Sequence, residues 1–372
     1  MLHPFSESKR WVIKVGTSTL TTPEGHFSNP QLESIVEQVA KLVRSRVEVV
    51  LVSSGAIALG LDTIKRAKRP SSLPELQACA AIGQGKLMKA YEVAFSSRGL
   101  HAAQMLLTQD GLENRERYLN AKNAVEAILK MGVVPVVNEN DSIATEEIKF
   151  GDNDVLAAHV ANLIDADLLV FLSDIDGFYL KDKTIIRHIH TSSELKEYTA
   201  HIHAKRSEKT TGGMKTKLLA AQMAMRSGIP IVLANGRDRD VIERIVKGEE
   251  VGSLFHPSKR KISSRQKWLA HTACGKGRLV VDQGAHSALV QGNRSLLAGG
   301  VVTCQGSFQL GDVVDVADES GVVFARGLVH YSCGEVEKIK GQKTGAIQSI
   351  LGFKRSDELI HRNNLVLLEP PS

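Results

Sequence analysis

No run of 18 consecutive apolar residues occurs in this sequence. A membrane-crossing helix needs about 20, so no transmembrane span is expected. The opening MLHPFSESKR lacks the apolar core of a secretory signal, which makes the cytoplasm the expected compartment. Cysteine is scarce: Cys79, Cys274, Cys304 and Cys333 stand far apart with no CxxC spacing, which argues against a disulfide framework and a zinc site and leaves free thiols. Neither common nucleotide fingerprint is present. Gly83-Gln84-Gly85-Lys86 lacks the earlier glycine and the following Ser or Thr of a Walker A loop, and no GxGxxG follows a strand. Charge of one sign is not in large excess, the net being +6. Residues 257–372 carry 15 Lys and Arg against 10 Asp and Glu, whereas the first 256 carry 32 against 31. So small a surplus describes a solvated surface better than a nucleic-acid interface.

What is present is a long globular chain, 42% hydrophobic and 24% charged, with residues enough for two or three domains. Its densest feature is residues 133–154, VVPVVNENDSIATEEIKFGDND. Residues 133–137 read as a strand buried on both faces, and residues 155–164 as a helix. Between them lie two acidic-amide tetrapeptides, Asn138-Glu139-Asn140-Asp141 and Gly151-Asp152-Asn153-Asp154. Each alone is good turn and cap chemistry. Together, at the carboxyl end of a strand where open α/β sheets bind ligands, they predict a site.

Three other strand ends point the same way. Residues 10–15 form a β-rich run that carries Lys14 and enters Gly16-Thr17-Ser18; this lysine either snorkels at an edge or offers a fixed positive charge to a ligand. Residues 47–52 end at Ser53-Ser54-Gly55-Ala56, and residues 166–172 at Ser173-Asp174-Ile175-Asp176-Gly177. Asn29-Pro30 opens a helix to residue 43, with further helices expected at 74–98, 112–131 and 238–246 and strands at 101–107, 229–234 and 251–255. Residues 180–210 look like a polar surface flap with a short helix near 193–200. After it, Thr211-Gly212-Gly213-Met214-Lys215-Thr216-Lys217 runs into an apolar helix, and lysines at a helix start oppose its dipole unless an anion is present. The alternation of strands and helices predicts an α/β sheet with helices on both faces, occupying residues 1–256. A basic linker follows at 257–276, and short β runs between glycines predict a small β-rich domain at 277–372.

The chemistry these loops suit is phosphoryl transfer, which needs positioning and positive charge around the migrating group, with a metal bridging phosphates. Backbone donors at Gly16, Gly55 and Gly212-Gly213, with Lys14 and Lys217, supply the phosphate side. The pocket at 138–154, rich in carboxylates and amides, suits an ammonium group and repels a phosphate-bearing acceptor, so an amino acid is the natural substrate class.

At this point the sequence resembles a known family. KVGTS, SSGAIALG, NEND, GDND and TGGMKTK, in this order across residues 9–256, match the motif set of the glutamate 5-kinases within the amino acid kinase family. VDQGAHSAL at 281–289 and IHRNNLVLL near the end are similar to the PUA domain, which elsewhere binds RNA. The resemblance implies a three-layer αβα domain with a mostly parallel sheet, and ATP-dependent phosphorylation of the γ-carboxylate of L-glutamate, the first step toward proline. It further implies Mg2+, feedback inhibition by L-proline, a homodimer or homotetramer, RNA as a ligand for the tail, and no dedicated protein metal site. Ser54, Asp141, Asn153 and Asn138 would hold glutamate. Lys14, Ser173, Asp174 and Thr211, Gly212, Gly213, Met214, Lys215, Thr216 and Lys217 would hold ATP. Lys14 and Lys217 would neutralise the migrating phosphoryl group, and Asp154 would orient them. Thr210, where glycine is usual, and Ala298, where proline is common, depart from the pattern without touching a proposed catalytic residue. Two rival readings are an aspartate, N-acetylglutamate, carbamate or nucleoside monophosphate kinase, and an RNA-binding protein on a kinase-like scaffold. Against the first, the pocket speaks against a phosphate-bearing acceptor and the PUA-like tail speaks for the glutamate enzyme; the second is opposed by the five aromatics of the tail and the full set of catalytic candidates.

Overall fold

The computed structural model describes residues 5–66, 68–143, 153–180, 182, 184–203, 212–258, 263–271 and 273–368. The chain divides into two compact units, Met1–Leu112 with Glu116–Lys261, and Glu113–Arg115 with Ile262–Ser372.

The first unit contains strands β1 (Arg10–Val15), β2 (Glu48–Ser53), β3 (Ala102–Leu107), β4 (Val134–Glu139) and β5 (Leu168–Ser173). They are followed by β6 (Phe178–Tyr179), β7 (Ile185–Ile186), β8 (His188–Ile189), β9 (Ile231–Asn235) and β10 (Ser253–Phe255). Its helices are α1 (Asn29–Arg44), α2 (Ala56–Thr63), α3 (Leu73–Ser96), α4 (Gln109–Glu113, whose last residue falls in the second unit) and α5 (Arg115–Lys130). Then come α6 (Asn153–Leu163), α7 (Ser192–His203), α8 (Gly212–Arg226) and α9 (Val241–Val246). Eight strands form one sheet in the order β3-β4-β2-β1-β5-β9-β10-β8, parallel except where β9 meets β10. The Val, Leu and Ile runs explain this: every residue of β4 and β5 is buried, as strands covered on both faces must be. β1 lies at the centre, with Lys14 in register between Val52 of β2 and Phe171 of β5. An edge position for Lys14 is thereby excluded.

The helices differ in how they are buried. α1 is amphipathic, turning Leu32, Ile35, Val36, Val39 and Leu42 inward, and Ser28, one residue before the Asn29 that the sequence suggests, accepts from the Gln31 amide as its cap. All eleven residues of α6 are buried. α2 and α3 touch backbone to backbone: a Cβ on Gly83 would lie 1.8 Å from the Ala56 carbonyl oxygen, and one on Gly60 1.9 Å from that of Cys79. The stretch expected as one helix over 112–131 breaks before Arg115, whose guanidinium lies 4.9 Å over the Trp268 ring.

The second unit adds α10 (Ser264–His271), β11 (Gly277–Val281), α11 (Gln283–Val290), β12 (Val301–Gly306), β13 (Val313–Ala317), β14 (Val323–Leu328), α12 (Cys333–Ile339), α13 (Ile347–Leu351) and β15 (Leu365–Leu367). Its sheet runs β12-β11-β13-β14-β15, antiparallel except for β11 with β13. α10 falls where the basic composition suggested a linker; Trp268 and Leu269 are buried and anchor it in this unit, and Lys267 beside them is buried as well.

Candidate active site

The carboxyl ends of β1, β2, β4 and β5 meet the first turn of α6, and the two residues that open that helix divide the site between them. Asp154 faces cations. Its Oδ1 lies 2.7 Å from Lys14 Nζ and its Oδ2 2.9 Å from Lys217 Nζ, with the Thr216 hydroxyl donating to Oδ2 at 3.3 Å. The carboxylate side chain is 3% exposed and the lysines 6% and 14%, so all three charges sit in a medium far less polar than water. Burial pushes the Asp154 carboxyl upward, but the two ammonium charges and their hydrogen bonds outweigh it and hold it ionised, below its ordinary range. Gly16 makes room: a Cβ there would lie 3.5 Å from Lys14 Nζ and 3.2 Å from the Leu172 carbonyl oxygen.

Asn153, the neighbour, faces neutral groups. Its amide nitrogen reaches the Ser53 carbonyl at 3.1 Å, Ser54 Oγ at 2.9 Å and Asn138 Oδ1 at 2.9 Å. Asn138 Oδ1 also accepts from the Glu139 amide, and its nitrogen donates to Gln84 Oε1 at 2.8 Å. Behind them Ser53 Oγ meets the buried Tyr91 hydroxyl at 2.8 Å, and burial raises that phenol to about 12, so it stays neutral. Asn153 Oδ1 and Gln84 Nε2 are buried without a hydrogen-bond partner among the described residues. Unsatisfied groups of this kind cost about 1–3 kcal/mol each, which a polar ligand relieves.

A third group lies at the end of β5. Asp174 Oδ1 accepts from Ser18 Oγ at 2.9 Å and Ser173 Oγ at 3.1 Å. Burial pushes this carboxyl up, but those bonds, its own backbone amide and the Lys217 charge bring it below the usual range. The predicted residues Lys14, Asp154, Lys217 and Thr216 are thus brought into one cluster, and Ser54, Asn138 and Asn153 into another, with Ser173 and Asp174 beside the first. Asp141 stands apart: it is half-buried, has no hydrogen bond to either cluster among the described residues, and faces the charge of Arg69, with burial lifting its carboxyl to about 6. Gly212, Gly213, Met214 and Lys215 lie in the first turn of α8, which begins at Gly212; a loop was expected there, but a helix tolerates glycine in a turn whose amides have no intrahelical partner anyway. Lys215 is exposed. Thr211, Thr210 and the Gly151-Asp152 pair fall outside the described residues.

Sequence reasoning missed Gln84, Ser18 and Tyr91. Gln84 sits in the Gly-Gln-Gly-Lys tetrapeptide that fails as a Walker loop, inside a helix, where nothing local marks it as a site residue. Ser18 was visible as the hydroxyl ending KVGTS.

Comparison with known proteins gives the family. The model of the amino acid kinase family matches residues 9–235, and that of the PUA domain residues 277–351. The chain is 47% identical over 364 residues to a glutamate 5-kinase of Caldanaerobacter subterraneus subsp. tengcongensis, covering 97% of this chain and 98% of the relative. It is 45% identical over 365 residues to a glutamate 5-kinase of Pseudomonas putida, covering 97% and 98%. The Moorella thermoacetica glutamate 5-kinase is 43% identical over 367 residues, covering 98% and 97%. With a family model over most of its length, and relatives of one kind matched from end to end, the chain belongs to the glutamate 5-kinase branch of the amino acid kinase family.

Proposed function

We propose that this chain transfers the γ-phosphoryl group of ATP to the γ-carboxylate of L-glutamate, giving L-glutamyl 5-phosphate and ADP, with Lys14, Asp154 and Lys217 as its charge-handling centre. The observation that carries the reading is one buried carboxylate held between two lysines and flanked by a neutral amide network. The acceptor carboxylate is ionised at neutral pH, so its oxygen attacks phosphorus without a general base. As the bond to the leaving oxygen lengthens, charge spreads over the phosphoryl oxygens and moves to ADP. Two ammonium groups gathered about one buried carboxylate concentrate positive charge in a dry setting, the arrangement that stabilises such a shift. Asp154 is a positioning residue here: it fixes both lysines while both its oxygens are engaged.

Magnesium enters as the counter-ion of the nucleotide, and is thus part of the substrate. The donor set fits, since Asp174 is an ionised carboxylate of the kind that holds magnesium together with phosphate oxygens. Ser54, Asn138 and Asn153 hold the glutamate, with Asp141 on its ammonium, while Ser173, Asp174 and residues 211–217 hold ATP. The family resemblance extends the proposal to inhibition by L-proline, a homodimer or homotetramer, a cytoplasmic setting and RNA as a ligand of the second unit.

The test is direct. Purified protein with ATP, magnesium and L-glutamate gives an acyl phosphate that hydroxylamine traps as the hydroxamate. Hydroxamate formed with aspartate or N-acetylglutamate but not with glutamate overturns the substrate; none with any amino acid overturns the reaction.

A further inference from the structure

The second unit holds a reactive pair that this chemistry leaves unused. Cys304 on β12 and Cys333 at the start of α12 are 29 positions apart in sequence, yet their Sγ atoms are 3.1 Å apart. A disulfide bond is about 2.05 Å long, so a closure of about 1 Å joins them. Both are free thiols, half-buried against the edge of this unit's core. The Cys333 thiol lies 3.3 Å from the Gly306 carbonyl oxygen, and Cys304 Sγ lies 3.9 Å from the carbonyl oxygen of Cys333 itself. Access is open on one side: Gly334 is exposed, and a Cβ there would meet nothing within 4 Å. The other two cysteines serve as internal controls, Cys79 being buried and Cys274 exposed.

We propose that Cys304 and Cys333 are a dithiol that hydroperoxides oxidise reversibly to an intramolecular disulfide. Cys333, beside the exposed Gly334, attacks first. Its sulfur displaces the leaving oxygen of the hydroperoxide, forming a sulfenic acid and releasing an alcohol, or water from hydrogen peroxide. Cys304 then displaces the sulfenic hydroxyl as water, its own proton going to that leaving group. Two thiols lose two electrons and two protons in all, and one peroxide bond is reduced. Burial and the neighbouring sulfur lift the Cys304 thiol to about 12, which disfavours Cys304 as the first nucleophile. A dithiol reductant reverses the reaction by thiol–disulfide exchange.

The experiment uses the full chain. The protein is treated with hydrogen peroxide, the remaining thiols are alkylated, and the digest is mapped by mass spectrometry. The expected product is a linked peptide pair containing Cys304 and Cys333, lighter by two hydrogens, restored by dithiothreitol, with Cys79 and Cys274 still alkylated. In Cys304→Ser, Cys333 halts as a sulfenic acid that dimedone traps. Full alkylation of both residues at a peroxide dose that oxidises Cys274 overturns the proposal. So does Cys333 sulfinic acid without linkage, or a bond from either residue to Cys274 or to a second copy. The wild-type map decides the matter even if the serine variant misfolds.

Discussion

Asn153 and Asp154 are adjacent in sequence and buried in the same helix turn, yet they serve opposite electrostatic settings. The Asp154 side joins charges of both signs at salt-bridge distance. The Asn153 side joins amides and hydroxyls with no formal charge. Successive side chains on a helix diverge by about 100°, so one helix start can address two chemistries without a bend or an insertion. The difference teaches a division of labour. On the proposed reaction, charge stands where charge develops, and neutral hydrogen bonds stand where the ligand is recognised by shape.

Breaking the charged side should have the largest effect. Asp154→Ala leaves two buried ammonium groups without their carboxylate, and losing one partner of a buried pair costs ~3–5 kcal/mol. Urea denaturation should show that loss together with collapse of kcat; unchanged stability would mean that the lysines rely on other partners. Next comes Asp141→Ala, expected to raise KM for glutamate by an amount equivalent to ~2–5 kcal/mol with little change in kcat, as for the loss of a desolvated charge partner.

The same residue gives a pH signature. Its folded-state carboxyl titrates near 6, above the ordinary value, because it is buried. KM for glutamate should therefore climb as pH falls through about 6, and Asp141→Asn should flatten that climb. The raised value also means that ionisation of Asp141 opposes folding, nothing being lost below pH 4 and the full penalty being present above pH 6. Since the group is only half-buried, Asp141→Asn should gain no more than roughly 1–2 kcal/mol at pH 7, a gain that vanishes in acid. A variant both weaker in binding and no more stable at pH 7 would contradict this.

Lys217→Ala should lower kcat ~100-fold with KM for glutamate nearly constant, and Lys217→Arg should recover only part, because a planar fork does not replace a point charge beside Asp154. A selective rise in KM would place Lys217 on the recognition side instead. The smallest effect belongs to the neutral side. Gln84→Ala removes one hydrogen bond to Asn138 and should cost ~1 kcal/mol, read as a few-fold rise in KM for glutamate; a hundredfold fall in kcat would erase the contrast between the two sides.

How much of this could be read from the chain depends on distance along it. Lys14 stood out as a charge inside an apolar strand, and its place at the centre of the sheet makes sense of that anomaly. Asn138, Asn153 and Asp154 could be picked out because they lie at a strand end or open a helix there, whereas Asp141 stands apart from the clusters they form. The strand alternation gave the sheet, and glycine-punctuated β runs gave the second unit. Contacts that join distant segments carried no local signal. Gln84 lies 54 positions from Asn138, and Ser18 lies 156 from Asp174. Composition misled at 264–271, where a polar and basic run, Ser264 to Lys267, masked two buried apolar anchors, and at Gly212, where glycine marks a helix start as readily as a loop.

α6 has no wet face, and this bears on how long the site persists between ligands. A helix with one side in solvent can fray or tilt while the rest of the molecule holds, and its amides exchange with deuterium through such partial openings. With all eleven residues enclosed, α6 has no inexpensive route of that kind. Its amide protons should be among the slowest in the first unit to exchange, leaving only when that unit unfolds as a whole. The spacing of Asn153 and Asp154 from their partners is then set at the time of folding and kept for the lifetime of the fold.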